Sequence, residues 1–303
     1  MTNPDIVKRI NDLRKKRNAV ILAHNYVTGE VQDIADFVGD SLELSIKAAA
    51  TQAPVIVFCG VSFMAETAKL LAPGSTVLLP EVSAGCPMAD MASAEAVQAL
   101  HKEHPDAVFV AYVNTTAAVK AEVDICCTSA NAEKIVAAIP EDKEIVFLPD
   151  QNLGGNVMKN LNRKMILFPG YCPTHHRIEP EQIAAMRKQY PEAPIVVHPE
   201  CPVEVTALAD AALSTGGMLK YVKESPAKQI VIGTESGIIH RLRKENPDKE
   251  FMALAPAPRC MNMKKITLES VLKSLEEMQT PVELPQALIE RARRPIDRML
   301  AGK

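Results

Sequence analysis

Four landmarks recur along this chain at one spacing, and that recurrence limits the possible folds more than any other feature. The first is an apolar run ending in polar groups: NAVILAHNY at 18–26, DAVFVAYVN at 106–114 and APIVVHPE at 193–200. Within these runs His24, Tyr112 and His198 lie 88 and 86 residues apart. DFVGDS (36–41), DICCTS (124–129) and AALST (211–215) follow, with Ser41, Ser129 and Thr215 again 88 and 86 apart. The third set is VIVF (55–58), EIVFL (144–148) and QIVI (229–232). The fourth ends on Cys86, Cys172 and Cys260, spaced 86 and 88. A fixed period of this kind marks repeated structural units. The boundaries it sets are 1–88, 89–174 and 175–262. The remainder, 263–303, carries two helical stretches, 268–278 and 285–300, expected to fold back on the first unit.

Each unit contains four short, almost continuously apolar strands, as in a parallel sheet covered on both faces. Helical stretches such as 41–50, 94–104 and 181–190 alternate with them. The expected class is therefore α/β, with three homologous α/β/α domains whose parallel four-stranded sheets surround a pseudo-threefold axis. In parallel α/β sheets, ligands bind beyond the carboxyl ends of the strands. Every polar landmark falls there, so three units around one axis would share a central cavity.

The three periodic cysteines stand apart from the other four. A lone buried cysteine is ordinarily a small core hydrophobe, and that reading suits Cys59, Cys126 and Cys127 in their strands. Cys201 in HPECP has no cysteine at the equivalent positions and is read as a neighbour of the site. Cys86, Cys172 and Cys260 lie in Gly- or Pro-marked loops (GCP, GYCP, PAPRC), the kind that line sites. Soft sulfur ligands suit zinc or an iron–sulfur cluster. Structural zinc takes four closed ligands, and no CxxC pair supplies a fourth. A [4Fe–4S] cube takes four cysteines when fully ligated, so three would leave one iron open.

Residues i and i+2 of a strand share a side. That pairs His24 with Tyr26, Tyr112 with Asn114, and His198 with Glu200. A single histidine of this kind is usually a hydrogen-bonded core residue; threefold recurrence makes these six cavity candidates. Ser41, Ser129 and Thr215 sit where a strand turns into a helix. They are read either as plain N-caps or as caps on helix ends that also attract an anion. A small anionic substrate, carboxylate or phosphate, is expected.

With 303 residues, 47% hydrophobic and a net charge of −3, the chain has room for several domains and no basic block for nucleic acid. No apolar run approaches membrane-spanning length, and the first residues lack an apolar signal core. A cytoplasmic location is expected, where seven cysteines serve as thiols or ligands rather than disulfides.

At these same residues the chain resembles the quinolinate synthase family almost end to end. The matching motifs run AHNY (23–26), GDSLELS (39–45), FMAETAKLL (63–71), AGCPMAD (84–90), AYVNTTAAVKAE (111–122), DICCTSANA (124–132), LPDQNLG (148–154), GYCPTH (170–175), HPEC (198–201), KYVKESPAKQ (220–229) and GTESGIIHRL (233–242). The resemblance implies condensation of iminoaspartate with dihydroxyacetone phosphate to quinolinate, with loss of phosphate and water, on the way to NAD. It implies a [4Fe–4S] cluster on Cys86, Cys172 and Cys260. It places substrate contacts at His24, Ser41, Tyr112, Asn114, Ser129, His198, Glu200 and Thr215, and further active-site groups at Tyr26 and His175. Glu200 suits a general base and Tyr26 or Tyr112 a proton donor. The implied partners are those two small substrates and, transiently, the enzyme supplying iminoaspartate. Two departures stand out: Ser62 occupies a position where many relatives carry His, and Cys260-Met261-Asn262-Met263 lacks the extra cysteines of longer relatives. The alternatives are another open-iron cluster enzyme, either a hydro-lyase or a radical enzyme like those of diphthamide synthesis, and a three-thiolate metal or redox-sensing module.

Overall fold

The computed structural model describes residues 2–302. Among the described residues, twelve strands are arranged in three sheets of four. The first sheet has β1 (Ala19–His24), β2 (Phe37–Gly39), β3 (Val55–Cys59) and β4 (Thr76–Leu78). The second has β5 (Val108–Tyr112), β6 (Ile125–Cys127), β7 (Ile145–Leu148) and β8 (Ile166–Leu167). The third has β9 (Ile195–Val197), β10 (Ala211–Ala212), β11 (Gln229–Gly233) and β12 (Glu250–Ala253). All pairings are parallel, and every sheet runs second–first–third–fourth strand. This is the doubly wound order whose switch point lies at the end of the first strand. The chain is thus α/β, with three homologous α/β/α units, as the period predicts.

The equivalence reaches single hydrogen bonds. Asp36, Asp124 and Asp210 each precede a second strand. Each accepts from a backbone N–H of the neighbouring first strand: Ile21 at 2.8 Å, Phe109 at 2.8 Å and Ile195 at 2.7 Å. One carboxylate per unit therefore pins the two strands whose ends face the cavity, satisfying a donor the ladder leaves unpaired. Register agrees as well: Ala23 pairs with Cys59, Ala111 with Leu148 and Val197 with Gly233.

Local sequence explains the helices that start beside the cavity. Asp40 caps Ser41–Ala50 by accepting from Leu42 and Glu43 N–H at 3.0 and 2.9 Å. Glu43 returns the bond to Asp40 N–H at 2.9 Å, a reciprocal capping box. Ser214 caps Thr215–Glu224 through Gly217 N–H at 3.1 Å.

The C-terminal helices go to different places. Leu268–Glu277 lies along the first helix, Asn3–Lys16, and its Val271, Leu272 and Leu275 join the core around the first sheet. Gln286–Ala301 bridges two units: it lies against Ala117–Lys120 and β6 of the second and against Ser62–Leu71 of the first. The reason is its apolar stripe: Ile289, Ala292, Ile296 and Met299, at helical spacing, are buried in the core around the second sheet. Among the described residues, no helix is long and apolar enough to cross a membrane.

Candidate active site

The strand ends converge on a cavity of about 350 Å³, within the size range of small-molecule sites. His24 and Tyr26 enter it from the first unit, Tyr112 and Asn114 from the second, His198 and Glu200 from the third. Ser41, Ser129 and Thr215 line it too, as do His175 and the three periodic cysteines. Every position singled out in the sequence thus reaches one space. Ser62, which opens the helix Ser62–Leu71, does not line it.

His24 and His198 are held identically. The N–H two residues on, from Tyr26 and from Glu200, donates to Nδ1 at 3.2 Å in each case. Nδ1 is thereby an acceptor, so the ring proton sits on Nε2. Burial pushes both imidazoles down to about 3, with the Glu200 charge opposing. Both are neutral donors at physiological pH.

Glu200 is the hub. Tyr112 donates to Oε1 at 2.5 Å, and Asn114 Nδ2 lies 3.4 Å from the same oxygen. His175 Nδ1 lies 2.7 Å from Oε2. Burial alone would raise this carboxyl; the His198 and His175 imidazoles and the hydrogen bonds from His175 and Tyr112 outweigh it and hold Glu200 well below the usual carboxylate range. Burial, then the Glu200 charge, pushes Tyr112 and Tyr26 well above the ordinary phenol value.

Sequence reasoning missed one member of this network. Thr234 Oγ1 lies 2.7 Å from His175 Nε2 and 2.7 Å from the Tyr26 hydroxyl. His175 Nδ1 also lies 3.2 Å from Cys172 Sγ, and one set of proton positions satisfies the oxygen and nitrogen contacts. Tyr26 donates to Thr234, Thr234 to His175 Nε2, His175 Nδ1–H to Glu200, and Tyr112 to Glu200 from the other side. The result is a buried hydrogen-bonded chain with a phenol at each end and one carboxylate between. No repeat signal marks Thr234, because strand register puts Gly60 and Pro149 at its equivalent positions.

The three hydroxyls are not the caps. Asp40 and Ser214 cap the helices that Ser41 and Thr215 begin. Ser129 lies in the turn before the helix Ala132–Ala137. The hydroxyls of Ser41 and Thr215 are therefore free of capping and face the cavity. Asp40 Oδ2 also accepts from Gly216 N–H at 3.2 Å, which ties the two helix starts together.

Cys86, Cys172 and Cys260 each open a short helical turn and line the cavity. Each sulfur accepts from backbone N–H groups of that turn: Ala89 and Met88, His175, and Met263 and Asn262 respectively. Burial pushes Cys86 up to about 12 and Cys172 and Cys260 upward as well. The three feel one another's charge, Cys86 with both of the others. Cys59, Cys126, Cys127 and Cys201 are fully buried and do not line the cavity. Three soft donors from three units, each sulfur accepting backbone N–H groups, fit a thiolate-ligated iron–sulfur centre. A second, smaller donor group also exists: ligand atoms of Cys172, His175 and Glu200 lie within 4.8 Å of one another.

With this geometry established, known proteins give a consistent comparison. The sequence model described as "NadA: Quinolinate synthetase A protein" matches residues 8–301. The quinolinate synthase of Geobacter sp. (strain M21) is 53% identical over 301 residues, 99% of each chain. That of Dehalococcoides mccartyi (strain CBDB1) is 53% identical over 295 residues, 97% of each. Quinolinate synthase 1 of Methanosarcina acetivorans is 50% identical over 303 residues, covering 100% of this chain and 99% of its own.

Proposed function

The chain belongs to the quinolinate synthetase A family and is an enzyme of NAD biosynthesis, and from that premise we propose that it condenses iminoaspartate with dihydroxyacetone phosphate to quinolinate, releasing phosphate and water. The observation that carries this reading is the convergence, on one cavity, of three thiols and an uninterrupted chain from Tyr26 to Tyr112. With Cys86, Cys172 and Cys260 as its protein ligands, a [4Fe–4S] cluster would supply an open, Lewis-acidic iron, suited to the departure of a hydroxyl group.

The protein groups divide the remaining work. Tyr26 and Tyr112, held protonated, donate to oxygens that leave or enolise. Glu200, held ionised, takes up a proton, either directly or through His175 and Thr234. Neutral His24 and His198 present Nε2–H to substrate oxygens without adding charge. The free hydroxyls of Ser41 and Thr215, at helix starts rich in N–H groups, bind carboxylate or phosphate, and Ser129 adds a third hydroxyl. The reaction consumes no electrons, so no external reductant is needed once the site is assembled.

A mononuclear metal on Cys172, His175 and Glu200 is the second reading, favoured by their close donor atoms. It would break the His175–Glu200 hydrogen bond and leave Cys86 and Cys260 without a role. Metal analysis separates the two. Anaerobic protein is expected to carry about four iron and about four sulfide per chain, and to form quinolinate from the two substrates. Cys86→Ser, Cys172→Ser or Cys260→Ser is expected to lose both cluster and activity, whereas Cys59→Ala retains both. A single metal without sulfide, or full cluster retention in Cys172→Ser, would overturn the assignment.

A further inference from the structure

Next to Thr234 in sequence, and with Glu235 itself lining the cavity, lies a buried ion pair that the reaction scheme does not use. Glu235 is fully buried, and both its oxygens are engaged. Oε1 accepts from the Cys260 backbone N–H at 3.2 Å and lies 2.9 Å from Lys264 Nζ. Oε2 accepts from Gly237 N–H at 2.7 Å and lies 3.1 Å from the same ammonium. Lys264 Nζ also donates to the Tyr26 carbonyl at 2.5 Å. One charge pair thus touches the backbone of the third periodic cysteine and the backbone of the phenol that begins the chain.

We propose that Glu235 and Lys264 are positioning residues that hold Cys260 and Tyr26 in one rigid frame, so that metal retention and the alignment of Tyr26 depend on the same two side chains. This rests on Cys260 being a thiolate ligand. Consecutive residues at a strand end face opposite ways. Thr234 therefore takes the Tyr26 hydroxyl while Glu235 takes the Cys260 amide. Tyr26 is gripped at three points: its N–H by His24, its hydroxyl by Thr234 and its carbonyl by Lys264. The Cys260 turn closes on itself through Lys264 N–H to the Cys260 carbonyl at 3.3 Å, so moving Lys264 moves the ligand loop. The packing leaves no slack. A Cβ on Gly237 would lie 2.6 Å from Lys264 Nζ, 2.7 Å from Glu235 Oε2 and 2.8 Å from the Tyr26 carbonyl. A buried pair of this kind contributes little net stability compared with apolar residues. What it supplies is direction: it fixes two backbone segments from different units.

The test uses anaerobically assembled holoenzyme carrying Glu235→Gln, Lys264→Met, Lys264→Arg or Glu235→Gln with Lys264→Met. Glu235→Gln keeps an acceptor for the Cys260 amide but loses the charge, and the double variant removes both charges together. Iron release to a chelator is expected to be about tenfold faster or more in Glu235→Gln and Lys264→Met, the range seen when groups that orient metal ligands are changed. Turnover should fall with KM unchanged to within about twofold, because Tyr26 is misaligned while the binding hydroxyls are untouched. Lys264→Arg should recover part of both losses, and the double variant should be no worse than the poorer single. If Lys264→Met does not fold, Glu235→Gln and the double variant decide. Release rates in these two equal to wild type, or effects that simply add, would overturn the proposal. Wild-type iron and sulfide content tests the cluster assignment separately. Should wild type hold no cluster, amide exchange decides: joint acceleration at Cys260 and Val27 in Glu235→Gln supports the frame, and unchanged exchange rejects it.

Discussion

The strand ends of the first and third units hold the same imidazole in the same way and diverge two residues later. His24 and His198 accept the same backbone bond at the same distance, and burial pushes both to about 3. At the next inward position the first unit has Tyr26 and the third has Glu200. Identical backbone thus aims two chemically different groups at one cavity. The second unit varies the pattern again, with Tyr112 in the histidine's place and Asn114 inward of it. Only one of the three equivalent inward positions carries a charge, and the second unit supplies it with two donors, Tyr112 and Asn114. Two carboxylates there would repel, and one would be forced to keep its proton. The repeat therefore supplies direction, while divergence within it supplies a base and two acids.

Removing the charge that distinguishes the third unit tests this most severely. Glu200→Gln keeps size and leaves hydrogen-bonding capacity, so fold and iron content should persist. Turnover is expected to fall by about 10²–10⁴-fold. Single-turnover quinolinate formation at saturating substrates measures it. Turnover within about twofold of wild type would mean that the third unit's divergence is not catalytic.

The first unit's counterpart, Tyr26→Phe, deletes one hydroxyl and is expected to cost about 10²-fold. Thr234→Val cuts the chain at the next link. If the two act through one chain, the double variant should be little slower than either single, since groups acting as a unit do not add. Multiplied losses would show that Tyr26 works independently of Glu200.

Much of this arrangement was legible in the sequence because the repeat made it so. Strands β1 to β12 fall on the four apolar sets, and helix Ser41–Ala50 spans the stretch expected of it. The residues that escaped notice lack equivalents. Thr234 stands where the other units have Gly60 and Pro149, so periodicity is silent there. Glu235 lies in one register with Val61 and Asp150, and only the fold shows that its carboxylate meets Cys260 and Lys264. The caps were misread by one residue: Asp40 and Ser214 accept the helix N–H groups, because an oxygen just before the first turn reaches the second and third N–H. The last helix packs on the first unit through Ser62–Leu71 and on the second through Ala117–Lys120 and β6. An apolar stripe shows that a helix is buried, not which sheet covers it.

That one-residue shift sharpens a smaller prediction. Ser129→Ala and Thr215→Ala should weaken substrate binding by about 1–3 kcal/mol, the usual range for hydrogen bonds to charged groups. Thermal stability should stay near wild type, since Ser214 caps the helix that Thr215 begins. A loss of stability with kinetics unchanged would return these hydroxyls to a structural role.

The equivalence of His24 and His198 can be tested by pH, with a modest expected effect. Each imidazole titrates near 6.5 when unfolded and near 3 when folded. Between those values the unfolded chain binds a proton that the native protein does not. Stability is therefore fully present above 6.5 and declines as pH falls towards 3. At pH 5.5, one unit below the unfolded value, each histidine should remove about 1.4 kcal/mol relative to pH 7.5. Glu200 does not confuse this window, because its unfolded carboxyl titrates near 4.5. Urea midpoints at the two pH values, for wild type, His24→Asn and His198→Asn, give the comparison. Each substitution should shrink the wild-type loss by about 1.4 kcal/mol, and by the same amount, because the two rings share one burial and one backbone bond. Unequal reductions would show that the first and third units already differ at the histidine. The divergence would then begin before Tyr26 and Glu200, and burial alone would not be what sets the protonation of these rings.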